Sequence, residues 1–152
     1  MNIEKRIAKL GLTLQDCPQA AAQYVPYLVS GNYVFTAGQT PKIGTDLQYK
    51  GKLGRDISLE DGYKAAELCA LRCISVLKAS VTDLDNIKRI IKVVGYVNAT
   101  EDFTQHSKVI NGVSNLLESV FGEKGKHTRV AIGVSSLPGG APVEVELIAE
   151  IY

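Results

Sequence analysis

The side chains that could do chemistry are concentrated in two apolar segments near the end of the chain, Thr128–Val134 and Val143–Ile151. Successive residues of a β-strand face opposite sides of a sheet. The predicted core side of the first segment holds its β-branched residues, Val130, Ile132 and Val134. The other side then carries Arg129, Ala131 and Gly133. In the second segment acidic residues alternate with apolar ones, at Glu144, Glu146 and Glu150.

These two segments would form one reactive surface if they paired as a hairpin around residues 135–142, with Val134 opposite Val143. Arg129 would then offer a planar fork of N–H donors to a substrate carboxylate, and a nearby glutamate could position or activate water. The alternative is a solvated sheet face on which the arginine and the glutamates pair with one another.

The remaining reactive residue types have simpler structural interpretations. Cys69 and Cys73 lie one helical turn apart, but no histidine accompanies them, so small buried residues are favoured over a metal site. His106 lies on an apolar stripe, and we interpret it as a packing or hydrogen-bonding residue because no nucleophile motif accompanies it. His127 precedes the strand of Arg129 and could stand either at the rim of the same surface or in an exposed loop.

A long loop at residues 40–55 is basic, with Lys42, Lys50, Lys52 and Arg55. Such a loop could attract an anionic substrate or RNA. No RNP-like aromatic motif accompanies these charges, and a solvated loop is the commoner explanation.

Composition predicts one soluble domain over residues 1–152. The chain has 45% apolar residues and a net charge of +1, from 17 basic and 16 acidic side chains. This balance gives no general attraction to a nucleic-acid backbone or an anionic membrane. No apolar run reaches the length of a membrane span, and no secretory signal pattern opens the chain, so we expect a cytoplasmic protein.

The first half of the chain predicts a short helix followed by a hairpin. Residues 2–10 have helical apolar spacing. Residues 24–30 and 33–39 are rich in aromatic and β-branched residues, and Gly31-Asn32 between them suits a tight turn.

Two long helices and three strands follow. The first helix begins at Leu59, with Ser58 as its N-cap, and the second covers residues 103–121 and ends at Gly122. A β-branched strand at residues 87–99 separates them, and the two C-terminal segments supply the last strands. The order β-β-α-β-α-β-β predicts an α+β fold, with one mixed sheet and two long helices on one face.

Three stretches together resemble the RidA/YjgF family, also called the endoribonuclease L-PSP family. They are SGNYVFTAGQTP at residues 30–41, AAELCALRCISVLKA at residues 65–79, and residues 128–151. The resemblance implies a chorismate-mutase-like fold and homotrimers with sites in the clefts between subunits. It also implies hydrolysis of reactive enamines and imines, such as 2-aminoacrylate, to 2-oxo acids and ammonia, without a metal or other cofactor.

The resemblance also implies roles for individual residues. The arginine that binds the substrate carboxylate corresponds to Arg129, and the glutamate that handles water corresponds to Glu144. The aromatic residue that lines the cleft corresponds to Tyr24, and the Gly-Gln of the second strand begins at Gly38. Backbone groups near Ala131 would orient the reacting nitrogen.

Three positions near this site depart from the family pattern and predict a divergent branch. His127 stands where Pro or Ala is usual, Ala131 where Cys is common, and Val145 where Ile or Met is usual. The loop at residues 40–55 and the N-terminal helix also look longer than in typical members.

Three functions therefore compete. The leading hypothesis is a 2-iminobutanoate/2-iminopropanoate deaminase that acts on a small carboxylate substrate. The second is non-catalytic binding of a small carboxylate metabolite in the same cleft. RNA cleavage ranks last, because no acid–base pair of histidines is visible and the net charge gives no broad phosphate-binding surface.

Assembly follows from the predicted layering. If helices cover only one sheet face, the other face would expose Arg129 and Glu144 together with apolar residues such as Ile148, a patch that soluble monomers usually avoid. Closed symmetry would bury this face. We therefore expect a homotrimer in which Tyr24 and Arg129 of one site come from different copies.

Overall fold

The computed structural model describes residues 2–20 and 22–152 and confirms the α+β class and the mixed sheet. Its elements, in chain order, are α1 (Ile3–Lys9), β1 (Tyr27–Ser30), β2 (Tyr33–Thr36), β3 (Lys42–Ile43), β4 (Asp46–Leu47), α2 (Leu59–Val81), β5 (Ile87–Asn98), α3 (His106–Phe121), β6 (Thr128–Val134) and β7 (Val143–Ile151).

The main sheet has the strand order β1-β2-β7-β5-β6, and all neighbours are antiparallel except β5 and β6. The predicted β6–β7 hairpin is therefore wrong, because β5 lies between these strands. The connection through α3 returns the chain so that β6 runs parallel to β5. Residues 135–142 then cross the end of β5, where Asn98 N donates to Pro142 O at 2.9 Å and Asn98 Nδ2 donates to Ala141 O at 3.1 Å.

The structure confirms the predicted start of the first long helix and the predicted end of the second. Ser58 Oγ accepts a hydrogen bond from Asp61 N at 3.1 Å and caps α2, as predicted. Gly122, with a φ of +63°, ends α3, which begins at His106 rather than at residue 103. Cys69 and Cys73 of α2 are fully buried against β7, which confirms their interpretation as small core residues.

The predicted orientation of β6 is wrong. Val130 and Ile132 are 40% and 42% exposed, whereas Ala131 packs against the core and Arg129 reaches α3. The reason is the close approach of α3, because a Cβ at Gly133 would overlap the His106 ring. Small residues therefore face the helix, and the larger apolar residues face the open side of the sheet.

The N-terminal half differs in detail. Predicted strands at residues 24–30 and 33–39 shorten to β1 and β2, and Gly31 has the left-handed φ of +57° that the tight turn requires. The predicted loop at residues 40–55 contains a separate two-stranded sheet, β3–β4. In the described residues, no helix has the length and apolar character needed to cross a membrane.

Candidate active site

Three of the predicted site residues meet in one cavity of about 220 Å³, which we call the glutamate pocket. Glu144 of β7 lies on the open face of the sheet, and Gly38 and Tyr24 line the same cavity. Tyr24, which precedes β1, is 54% exposed and stands at the mouth. Arg72 from α2 also lines this pocket, although its position in the sequence did not predict it.

Glu144 and Gly38 are neighbours because the chain after β2 continues alongside β7. Gln39 N donates to Val145 O at 2.8 Å, and Val145 N donates to Gln39 O at 3.0 Å. This pair of bonds places Gly38 directly beside the Glu144 carboxylate. A Cβ at position 38 would overlap Glu144 Oε1, so the site needs a glycine there.

The electrostatics of the open face favour a proton on Glu144. Burial raises the pKa of Glu144, and the like charge of Glu146 raises it further. Tyr96 lies opposite Glu144 in the β5–β7 register and donates its hydroxyl hydrogen to Glu146 Oε1 at 3.0 Å. Burial and this hydrogen bond raise the pKa of Tyr96 as well. Glu144 thus has the properties of a carboxyl group that can both accept and return a proton.

Arg129 lies in a different cavity of about 630 Å³, the arginine pocket, between β6 and α3. Its Nη1 donates to Asn111 Oδ1 at 2.9 Å and to Ser114 Oγ at 3.0 Å, and its Nη2 donates to Ser107 O at 3.2 Å. Both Nη1 hydrogens are therefore used. Within the described chain Nε has no partner, so it remains available to a bound anion together with the second Nη2 hydrogen.

His127 lies beside Arg129 in the arginine pocket and is half-buried, so neither the rim of the predicted arginine–glutamate surface nor an exposed loop describes its position. Its Nδ1 is 2.6 Å from Gly125 O and its Nε2 is 2.9 Å from Ser114 Oγ. A carbonyl oxygen only accepts, so Nδ1 carries the hydrogen, and in the neutral ring Nε2 accepts from the Ser114 hydroxyl. Ser114 Oγ in turn accepts from Arg129. His127, which departs from the family pattern, thus helps to fix the position of the serine that binds Arg129.

The predicted site residues form two groups within one chain. Tyr24, Gly38 and Glu144 lie in the glutamate pocket, whereas Arg129 and Ala131 face α3 on the opposite side of the sheet. The predicted Arg129–glutamate surface is therefore wrong for a single chain. It depended on the incorrect hairpin and on the incorrect orientation of β6.

The contacts of His106 confirm its interpretation as a packing residue. Its ring makes an edge-on contact with Phe103, with ring centroids 5.3 Å apart, and lies over Gly133. A cavity of about 590 Å³ adjoins it, and basic residues of the 40–55 loop line that cavity. Protein atoms already bind these cations, because Lys52 Nζ donates to Asn98 Oδ1 at 2.8 Å and Arg55 pairs with Asp56 at 3.0 Å.

Comparisons with known proteins agree with this architecture. Residues 4–151 match the model of a family described as "YjgF/chorismate mutase-like, putative endoribonuclease". Protein TCP17 of Trypanosoma cruzi is 39% identical over 98% of this chain and 94% of its own length. The crystal structure of Atu1372 from Agrobacterium tumefaciens, a protein of unknown function, has 42% identity and a TM-score of 0.91, and covers 99% of this chain and 92% of that one.

A crystal structure described as a "putative endoribonuclease" from Shewanella oneidensis superimposes with a TM-score of 0.96 at 34% identity, and covers 99% of this chain and 100% of that one. These likenesses confirm the predicted chorismate-mutase-like fold.

Proposed function

Since this chain belongs to the YjgF/chorismate mutase-like family, we propose that it hydrolyses reactive imines and enamines to 2-oxo acids and ammonia. Water adds across the C=N bond of a 2-imino acid, and the resulting carbinolamine loses ammonia to leave a C=O bond. The substrate class has a carboxylate next to the reacting carbon.

The observation that carries this proposal is the half-buried Glu144 beside Gly38. Burial raises the pKa of this carboxyl, which brings it closer to the value that a group exchanging protons near neutral pH needs. Glu144 would take a proton from the attacking water and return it to the departing nitrogen. Tyr24 at the mouth of the pocket would cover the bound substrate.

Arg129 enters this mechanism from a neighbouring copy of the chain. In one chain it lies across the sheet from Glu144, fixed to α3 by three hydrogen bonds. Its remaining N–H donors would bind the substrate carboxylate, and the fixed guanidinium would lose little freedom on binding. Backbone groups near Ala131 would orient the reacting nitrogen.

The open face of the sheet supports assembly. It carries large apolar residues that are 40% to 60% exposed in a single chain, namely Leu28, Phe35, Val130 and Ile132. Exposed apolar patches of this kind mark interaction surfaces. A homotrimer of 16.4 kDa subunits would cover them and bring the arginine pocket of one copy to the glutamate pocket of the next.

The test is the rate at which freshly generated 2-aminoacrylate and 2-iminopropanoate disappear. We expect the wild type to accelerate this step, and Glu144→Gln and Arg129→Ala each to reduce kcat/KM by about 100-fold or more. Glu101→Gln, which neutralises an exposed carboxylate outside both pockets, is the matched control and should retain the wild-type rate. A wild type that leaves the decay of these compounds unchanged would refute the proposal.

RNA cleavage gains no support from the same geometry. The chain has two histidines. His106 adjoins the 590 Å³ cavity, whereas His127 lines the arginine pocket. Within one chain they therefore do not form an acid–base pair across one bound phosphate. Binding of a carboxylate without turnover remains the competing function, and the same decay assay separates the two.

A further inference from the structure

Arg72 of α2 is a buried charge that the proposed mechanism does not use. Only 5% of this residue is exposed. Its Nε donates to Gln39 Oε1 at 3.4 Å, and its Nη1 lies 3.2 Å from Gln15 Oε1, 3.0 Å from Lys42 O and 3.3 Å from Gly44 O. Every one of these acceptors is a neutral oxygen.

No acidic side chain of the described residues forms an ion pair with this guanidinium. Buried charges in proteins are normally paired, because removing a charge from water is costly. Burial lowers the pKa of Arg72, but a guanidinium keeps its proton in proteins. The nearby thiols of Cys69 and Cys73 do not neutralise it, since burial raises the pKa of both, that of Cys73 to about 12.

The unused end of the Arg72 side chain opens into the glutamate pocket and its neighbour. Arg72 lines both the glutamate pocket and an adjoining cavity of about 440 Å³. Nη2 has no hydrogen-bond partner in the part of the chain that the structure describes. Among the described residues, the one side-chain N or O atom that is fully buried and lacks a partner is Glu4 Oε2, so the unpartnered Nη2 cannot be fully buried. Nη2 is therefore accessible from the cavity. Lys42 lines the same two cavities and adds a second positive charge.

We propose that Arg72 binds a second carboxylate of the substrate, so that the preferred substrates are 2-imino dicarboxylates, the imines of acidic amino acids. This inference rests on the proposed deaminase function. The carboxylate next to the imine carbon would bind Arg129 of the neighbouring copy, the imine carbon would lie near Glu144, and the distal carboxylate would bind Arg72.

The reaction is the same hydrolysis with a charged tail. For the four-carbon case, 2-iminosuccinate and water give oxaloacetate and ammonia, with no change in oxidation state. One class of reaction that forms this substrate is oxidation of the C–N bond of an acidic amino acid, which is the chemistry of flavin- or nicotinamide-dependent enzymes.

The first experiment compares two imines made in the assay by amino acid oxidases, 2-iminosuccinate from aspartate and 2-iminopropanoate from alanine. For the wild type we expect kcat/KM to be about 10- to 100-fold higher for the dicarboxylate, the range for a charged hydrogen bond. Arg72→Gln should remove most of this preference and change the monocarboxylate rate much less. Arg72→Lys keeps the charge and should retain part of the preference, and Arg55→Gln, which removes an exposed arginine, is the matched control.

A second measurement does not depend on a folded variant or on turnover. Calorimetry on the wild type compares oxaloacetate with pyruvate, and succinate with propionate. We expect each dicarboxylate to bind about 10-fold more tightly or better. Tighter dicarboxylate binding without turnover of any imine would refute the deaminase proposal and support the Arg72 subsite. Turnover of both imines with equal efficiency, or equal binding within each pair, would overturn the Arg72 inference and leave the deaminase proposal standing.

Discussion

At the scale of single residues, the geometry around Glu144 depends on an atom that is missing, the Cβ at position 38. The backbone of Gly38 lies so close to the Glu144 carboxylate that any side chain there would displace it. The displaced group is the end of a flexible side chain, whereas the backbone on both sides is held by the Gln39–Val145 hydrogen bonds. A substitution here should therefore disturb function more than folding.

We expect Gly38→Ala to lower kcat/KM by about 10- to 100-fold, because small misplacements of a catalytic group cost rate on this scale. The free energy of unfolding should fall by less than about 1 kcal/mol, since the far end of Glu144 can move. A double-mutant cycle with Glu144→Gln checks the mechanism. When Glu144→Gln is already present, Gly38→Ala should have little further effect on kcat/KM, and two fully additive losses would contradict the assignment.

The raised pKa of Glu144 makes a separate prediction about stability. The folded chain keeps the Glu144 proton at pH values where the unfolded chain has lost it. This contribution to stability is fully present below the unfolded pKa of about 4.3 and is lost as pH rises through the raised folded pKa. Glu144→Gln has no such proton, so its unfolding free energy should increase relative to the wild type as pH rises across this window.

Urea unfolding from about pH 4 to about pH 7 measures this difference. The protein concentration must be constant, because assembly would also contribute to the measured stability. A difference between the two proteins that stays flat, or that falls with rising pH, would show that the folded environment does not favour the protonated carboxyl.

Single residues were predictable where a motif carried them. Gly38 and Glu144 follow from the resemblance, and the structure adds the physical reason that joins them. Arg72 was not predicted, although a signal exists, since it is the one charged residue in the apolar run from residue 68 to residue 77. A charge on the buried face of a helix needs a partner, and that requirement would have identified Arg72 as a candidate site residue.

At the scale of elements, the close approach of α3 to its neighbours explains the main error of the sequence analysis. The start of α2, the end of α3 and both C-terminal strands were predictable from caps and apolar periodicity, whereas the start of α3 was not. The sides of β6 were not, because alanine and glycine at 131 and 133 carry little hydrophobic signal although they lie directly under α3. Strand order was also not predictable, since the hairpin rule ignores a crossover that inserts β5 between β6 and β7.

The same close packing predicts that Gly112→Ala in α3 destabilises the protein, which is the reverse of the usual effect of this substitution in a helix. Alanine in place of glycine in a helix normally stabilises it by about 1 kcal/mol. A Cβ at position 112 would overlap the carbonyl oxygen of Tyr63 in α2, and backbone cannot move aside as a side chain can. We expect Gly112→Ala to lower the unfolding free energy by about 1–3 kcal/mol.

Denaturant unfolding of Gly112→Ala and of Ser119→Ala, at an exposed position on the same helix, makes the comparison. The control should change stability by about 0.5 kcal/mol or less. Equal or greater stability of Gly112→Ala would mean that α2 and α3 do not approach as closely as the structure has them.

At the scale of the whole molecule, one chain holds two half-sites that face opposite sides of its sheet. The proposed closed ring of copies would cover the apolar open face and would also bring Glu144 of one copy close to Arg129 of the next. The resemblance predicted shared clefts from family pattern alone. The layering in the structure supplies an independent physical reason, because the arginine is tied to α3 and cannot reach the open face of its own sheet.

Complementation between two inactive variants tests this account most directly. Glu144→Gln retains Arg129, and Arg129→Ala retains Glu144, so a site between one copy of each can be complete. If the chains form trimers with each site shared by adjacent copies, equal random mixing gives mixed trimers about three quarters of the time, with one complete site of three in each. The account predicts that co-expressed, co-purified mixtures recover about one quarter of the wild-type imine hydrolysis. Mixed trimers, verified by two affinity tags, whose activity stays at the level of the separate variants would contradict it.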